Sequence, residues 1–433
     1  MYNYGKHYVD NEDLENVSKI LNNDTFLTCG PKVKEFEKKI CDYTNCKYAC
    51  AVNSCTSALH IACMTINISK DDEVIIPAIS FAASSNCVLY CGGTPVFCDI
   101  DKNTMNIDIN KIEELITPKT KALIVVDFAG QTNDYEKLNK LKTKYNLVLI
   151  QDAAHSIGAK YKDLNVGNIA DITTFSFHPV KNMTTGEGGA LTTNNLDYFK
   201  KMKLLRSHGL TKDFDEREKS VSHNYDIVSL GYNYRISDIL CALGISQLNK
   251  LDMFVNKRKE LVNYYNNSIN NSPLNQFIEP LELNQDSSHH IYIIKIKDIN
   301  LINRDVLFKN LHNKNIKVNV HYKPIYLFTL YQNLGYKKGL CINAEDVYNR
   351  IITMPLYFSL EKEDIDKILN ILKLSINQVI KIKSLISKFK NIDVELHNYL
   401  DNDFKNGKDF CEYYLIDLYD QRSESIALRN LNN

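Results

Sequence analysis

The sequence contains no tryptophan and carries no net charge, since 52 Lys and Arg balance 52 Asp and Glu. A balanced surface offers no bulk attraction to nucleic acid or to anionic membrane, so neither is an expected partner. Long apolar runs are missing as well, and no stretch approaches the length that crosses a bilayer. The first residues, Met1-Tyr2-Asn3-Tyr4-Gly5, lack the basic-then-apolar pattern of a secretory signal, which makes the cytoplasm the expected location. The twelve cysteines include no CxxC pair. Cys46 and Cys50, and Cys87 and Cys91, have closer spacing, but the second pair lies in an apolar run with no histidine beside it. Small buried thiols of a reducing compartment are expected, and no metal site.

What the chain does have is length and alternation. Its 433 residues suffice for more than one domain and a large core. From about 48 to 195, short apolar runs at 48–53, 73–79, 95–100, 121–127, 147–152 and 172–177 read as strands. Between them, 56–64, 109–116 and 135–145 have helical spacing. Continuous Val/Ile/Leu runs predict strands buried on both faces, hence an α/β architecture with a mainly parallel sheet between helices. Segments 196–205 and 237–254 read as helices, and 211–228 as a polar loop. Strand-like runs at 291–296 and 316–320 belong to a smaller unit. The expected division is a large domain at 1–255 with an N-terminal arm, a smaller α+β domain at 256–375, and an appended tail at 376–433. Within that tail, 381–390 is basic with helical character.

Ligands of such sheets bind beyond the carboxyl ends of the strands, and the polar residues collect there. Lys181 follows the run Phe175-Ser176-Phe177-His178-Pro179-Val180 and precedes Thr184-Thr185-Gly186-Glu187-Gly188-Gly189. A lysine at a strand mouth reaches a bound carbonyl; it also fits a solvated surface. Asp152 ends the run Leu149-Ile150-Gln151-Asp152, where it can face a cationic ring or cap the next turn. His155 stands just beyond, as a ligand contact or a structural histidine. Asn53-Ser54-Cys55-Thr56-Ser57 leads from a strand into a helix, which makes either an anion site or an ordinary cap. Ser176 adds a hydroxyl, and Phe81 is either a stacking platform or core. Pyridoxal 5'-phosphate asks a protein for these things together. It needs an amine for its aldehyde, an acid for its ring nitrogen, a platform, a phosphate cradle and a partner for its ring hydroxyl.

With these residues in order, the chain resembles the DegT/DnrJ family of nucleotide-sugar aminotransferases over about residues 4 to 372. The resemblance is carried by Gly30-Pro31, the 53–59 turn, Thr94-Pro95-Val96-Phe97, Asp152-Ala153-Ala154-His155, the 176–189 lysine segment and Arg206-Ser207-His208-Gly209. Gly231-Tyr232-Asn233-Tyr234-Arg235 and Val320-His321-Tyr322 complete it. It implies the type I pyridoxal-phosphate aminotransferase fold. Lys181 then matches the lysine that joins the cofactor, Asp152 the partner of the pyridine nitrogen, and His155 the contact to the ring hydroxyl. Thr56, Ser57 and Ser176 match phosphate binders, and Phe81 the stacking ring. Asn233 matches an asparagine that reaches the phosphate in a neighbouring subunit, which implies a homodimer with shared active sites. Relatives with histidine at the lysine position act as dehydratases; the lysine here implies transamination. Within the family the likeness is nearest to the branch acting at C4 in pseudaminic acid synthesis, above all in Val320-His321-Tyr322-Lys323-Pro324-Ile325-Tyr326. The implied substrate is UDP-2-acetamido-2,6-dideoxy-β-L-arabino-hexos-4-ulose, with L-glutamate as amino donor and Tyr4, His321 and Tyr322 contacting the nucleotide-sugar. The alternative is another nucleotide-linked 4-keto sugar of the legionaminic acid, bacillosamine or perosamine type. Cys55 stands where many relatives have Gly or Ala, and the tail beyond 376 has no counterpart in the family.

Overall fold

The apolar runs form the strands of a seven-stranded sheet in a computed structural model that describes residues 1–23, 26–211 and 224–389. Most of the polar stretch 211–228, and the tail beyond 389, lie outside the described residues. The strand order is Tyr48–Val52, Gly189–Thr193, Ile172–Ser176, Val148–Asp152, Thr120–Val126, Glu73–Pro77 and Thr94–Cys98. From Ile172–Ser176 onward every neighbour is parallel. Gly189–Thr193 runs antiparallel to both of its partners. This strand has no apolar run to announce it, because apart from Leu191 its Gly-Ala-Leu-Thr-Thr residues are small or polar, although all are buried. Helices Cys55–Thr65, Ala83–Tyr90, Tyr135–Tyr145 and Leu196–Arg206 connect and cover the sheet.

Two helical expectations are corrected. Segment 109–116 forms two short 3-10 turns, Ile109–Lys111 and Glu113–Leu115, the first capped by the Asp108 side chain on Asn110 N. Segment 237–254 is two helices, Asp238–Asn249 and Leu251–Asn270, which meet at Lys250. The Lys250 ammonium is held there by Asp10 at 2.7 Å and Asp13 at 2.8 Å, so the joint is pinned to the N-terminal arm.

A second sheet of three antiparallel strands, Ile278–Pro280, Tyr292–Ile296 and Ile351–Met354, forms the centre of the later residues. The strand expected at 316–320 is shorter, Ile316–Lys317, and its partner is the N-terminal Tyr2–Asn3. That pairing carries Tyr4 to His321, with ring centroids 5.2 Å apart. The final helix, Lys362–Phe389, passes unbroken through the 375/376 boundary expected from composition. Ile365, Ile368, Leu372, Ile376 and Val379 share one buried face at helical spacing. The residues after 375 therefore begin as part of a docked helix.

Candidate active site

Parallel pairing sets Val126 beside Asp152 and Asp152 beside Thr174, so the chemistry-bearing residues emerge at one edge of the sheet. Beyond that edge lies a cavity of about 500 Å³. Its walls bring together Thr56, Phe81, Asp152, His155, Ser176 and Lys181, with Tyr4, His321 and Tyr322 on the side of the later residues.

Lys181 is held by the turn after Ile172–Ser176, where its amide bonds to His178 O at 2.9 Å. Burial pulls its amine down to about 8 from 10.5, against the opposing pull of Cys55 and Asp152 nearby. A lysine so placed is substantially unprotonated in mild alkali, as a nucleophile requires. Asp152 is buried, and burial raises its carboxyl above the ordinary value while its hydrogen bonds work the other way. It accepts from Ser84 Oγ at 2.6 Å and from Ala154 N at 3.1 Å. Among the described residues it has no salt bridge, and the one cationic group acting on it is Lys181, across the same cavity. His155 and His321 are both pushed down by burial, His321 to about 3, which keeps them neutral beside the lysine.

Helix Cys55–Thr65 starts at the cavity wall, and Ser54 Oγ caps it by accepting from Ser57 N at 3.1 Å. The first amides of a helix have no partner within it, so those of Cys55 and Thr56 are left for an anion. Gly189 allows this helix start to lie against the neighbouring strand: a Cβ there would stand 2.6 Å from Ser54 C. Phe81 stands at the cavity with 61% of its surface exposed.

The structure does not bring every expected residue to this wall. Ser57 is buried behind it, its hydroxyl donating to Asn53 Oδ1 at 2.6 Å and meeting Ser54 Oγ at 2.9 Å. Asn233 is exposed and off the cavity, its carbonyl accepting from Asn53 Nδ2 at 3.5 Å. Other residues escaped sequence reasoning. Ser84, the support of Asp152, lies within a helix far away in the chain. His290 also lines the cavity, its ring centroid 4.4 Å from that of His155. The doublet His289-His290 at the start of the Tyr292–Ile296 strand was the signal that could have found it.

The donor set fits pyridoxal phosphate on three counts. Asp152 is a buried acid with no salt bridge among the described residues, Lys181 is a half-buried residue whose amine is inclined to neutrality, and the helix start supplies amides and a threonine hydroxyl for a phosphate. The sequence pattern of the DegT/DnrJ/EryC1/StrS aminotransferase family matches residues 7–373. The chain is 39% identical over 367 residues, 84% of its own length and 94% of the other's, to a Campylobacter jejuni protein named UDP-4-amino-4,6-dideoxy-N-acetyl-beta-L-altrosamine transaminase. It is similar in structure to Helicobacter pylori PseC, described as an aminotransferase involved in the biosynthesis of pseudoaminic acid. That match has a TM-score of 0.80 at 35% identity and covers 87% of this chain and 99% of the other. A Bacillus subtilis protein, ntda, solved with its cofactor PMP bound, gives a TM-score of 0.76 at 29% identity over 85% of this chain and 83% of its own.

Proposed function

The chain belongs to the DegT/DnrJ/EryC1/StrS aminotransferase family and is a pyridoxal-phosphate enzyme, and on that premise we propose that it aminates C4 of a UDP-linked 4-keto-6-deoxy-N-acetylhexosamine. The substrate we assign is UDP-2-acetamido-2,6-dideoxy-β-L-arabino-hexos-4-ulose, with L-glutamate as donor, in pseudaminic acid biosynthesis in the cytoplasm. The names of the relatives support this choice. The observation that carries the reaction class is the single cavity that joins Lys181 and Asp152 to a helix start.

The bound cofactor supplies an aldehyde that takes up an amino group and a ring that draws electrons from the reacting carbon. Lys181 Nζ is assigned the covalent bond to that aldehyde and, when released, the movement of the proton between carbon centres. Asp152 keeps a proton on the ring nitrogen through its buried charge. His155 donates to the ring hydroxyl. Thr56, Ser176 and the first amides of helix Cys55–Thr65 hold the phosphate. Ser57 braces that turn through Ser54. Phe81 packs against the ring face. Tyr4, His321 and Tyr322 bind the nucleotide-sugar, and Asn233 serves the phosphate of the partner site in a homodimer.

The test is product analysis by NMR after incubation with glutamate and a panel of 4-keto nucleotide-sugars. The L-arabino sugar is expected to give the 4-amino product and its D-xylo epimer much less. Turnover of the D-xylo or a GDP-linked sugar alone would overturn the substrate and leave the reaction class standing.

A further inference from the structure

Two histidines face the cavity in contact with one another, and their hydrogen bonds settle which nitrogen of each carries a proton. The backbone amide of Ala129 meets His155 Nδ1 at 3.3 Å. An amide N–H can only donate, so Nδ1 holds a lone pair, and the proton of the neutral ring is on Nε2. That Nε2 faces Tyr322 Oη at 3.2 Å. His290 is arranged in the opposite sense. Asn182 Nδ2 donates to the carbonyl of Ser288 at 2.9 Å, which fixes the orientation of the amide. Its Oδ1 therefore faces His290 Nδ1, at 3.2 Å, and an amide oxygen can only accept. The proton of His290 is on Nδ1, and Nε2 keeps the lone pair.

The backbone enforces both arrangements. His290 N donates to Ala129 O at 2.9 Å, Ser288 N to Gly130 O at 3.1 Å, and Ser288 Oγ to His155 O at 2.7 Å. Arg258 Nη1 holds His290 O at 2.9 Å. Ala129 and Gly130 take φ of 57° and 97°, a tight turn that brings the Ala129 amide onto the imidazole. Asn182 follows Lys181 directly, so the residue that orients His290 moves with the residue that bonds the cofactor.

We propose that Asn182 is a positioning residue that locks His290 as a proton acceptor toward the cavity, while the Ala129 turn locks His155 as a proton donor. Lys181 and His290 line the same cavity, so a lone pair on His290 offers an acceptor within the space where the amine gives up and regains its proton. His155 presents its Nε2 proton at the Tyr322 side of the cavity. The use of this pair rests on the transamination reading; its geometry does not.

Full-length protein labelled with ¹⁵N-histidine gives the test, with and without cofactor and with no substrate. Long-range ¹H–¹⁵N spectra distinguish the two neutral tautomers and the cation, and His155→Gln and His290→Gln assign the signals. At neutral pH His155 is expected as the Nε2–H form and His290 as the Nδ1–H form. Finding His290 as Nε2–H, or cationic, overturns the proposal whatever the enzyme's substrate. Asn182→Ala is expected to bring an Nε2–H population to His290, and an unchanged spectrum would deny Asn182 its role. In turnover, His290→Phe should lower kcat about tenfold or more with KM for the keto-sugar within about threefold. His290→Gln, which retains an accepting oxygen, should lose less. His290→Phe with undiminished kcat would remove His290 from the proton path.

Discussion

The desolvation that lowers the Lys181 amine serves the chemistry at a cost to the fold. In the folded state that amine titrates at about 8, below the ordinary 10.5. Between those pH values the unfolded chain binds a proton that the folded chain does not. Stability of the cofactor-free protein therefore rises with pH across that window, and the full penalty applies below it. Lys181→Met should abolish transamination and yet raise cofactor-free stability at pH 7 by about 1–3 kcal/mol. Above pH 10.5 the gain should vanish. Denaturant melts of the two cofactor-free proteins measure this, and a variant no more stable than wild type at pH 7 would refute the account. Asp152 and Ser84 separate charge from support. Asp152→Asn removes the charge and should lower kcat about 100-fold or more. Ser84→Ala leaves the charge but removes the 2.6 Å hydrogen bond to it, together with the 2.7 Å contact to Ser80 Oγ, and should cost about tenfold or less. Equal losses in the two variants would mean that the serine, and not the carboxylate charge, is what matters.

At the scale of elements, the cradle depends on how closely a strand can approach a helix start. A Cβ on Gly189 would meet Ser54 C at 2.6 Å and Cys55 N at 2.7 Å, backbone atoms that cannot swing aside. Gly189→Ala should push strand Gly189–Thr193 from helix Cys55–Thr65, cost about 1–3 kcal/mol, and weaken cofactor retention on dialysis. Unchanged retention would show that the helix start is not held by this contact. This is also where the sequence was hardest to read. The parallel strands are legible because both their faces are buried and their residues are apolar throughout. Gly189–Thr193 is equally buried but needs small residues for close approach, so it leaves no hydrophobic signal. The Lys250 break is hidden because a tertiary ion pair with Asp10 and Asp13, and not a proline or glycine, interrupts the helix. Lys181 and Asp152 were legible from their place at strand ends. Ser84 and His290 were not, since only the packed sheet brings their segments to that edge. The helix that crosses the boundary expected at 376 is hidden for a related reason. Composition turns basic there, while the buried face continues through Ile376, Val379 and Ile382. A chain ended at 375 should melt at lower denaturant than the full chain, losing several kcal/mol by exposing the groove these side chains fill.

The whole molecule poses the question of what completes the site. Asn233 stands on an exposed stretch that also carries Tyr225, Ile227, Val228 and Leu230, the last 82% exposed. Apolar side chains clustered in this way favour burial against another surface. A second copy meeting this face in two-fold symmetry would cover them and carry each Asn233 toward the other copy's cavity. Mixed subunits test the arrangement directly. Lys181→Ala removes the reacting amine, and Asn233→Asp sets a negative charge against the phosphate. Each variant alone should be nearly inactive. If Lys181 of one subunit works with Asn233 of the other, a heterodimer of the two variants contains one site with both lesions and one with neither. After denaturation, mixing at equal amounts and refolding, half of the dimers are mixed and half of their sites are intact. About a quarter of wild-type activity should return. If both residues serve a site within one subunit, every site in every dimer keeps one lesion and no activity returns.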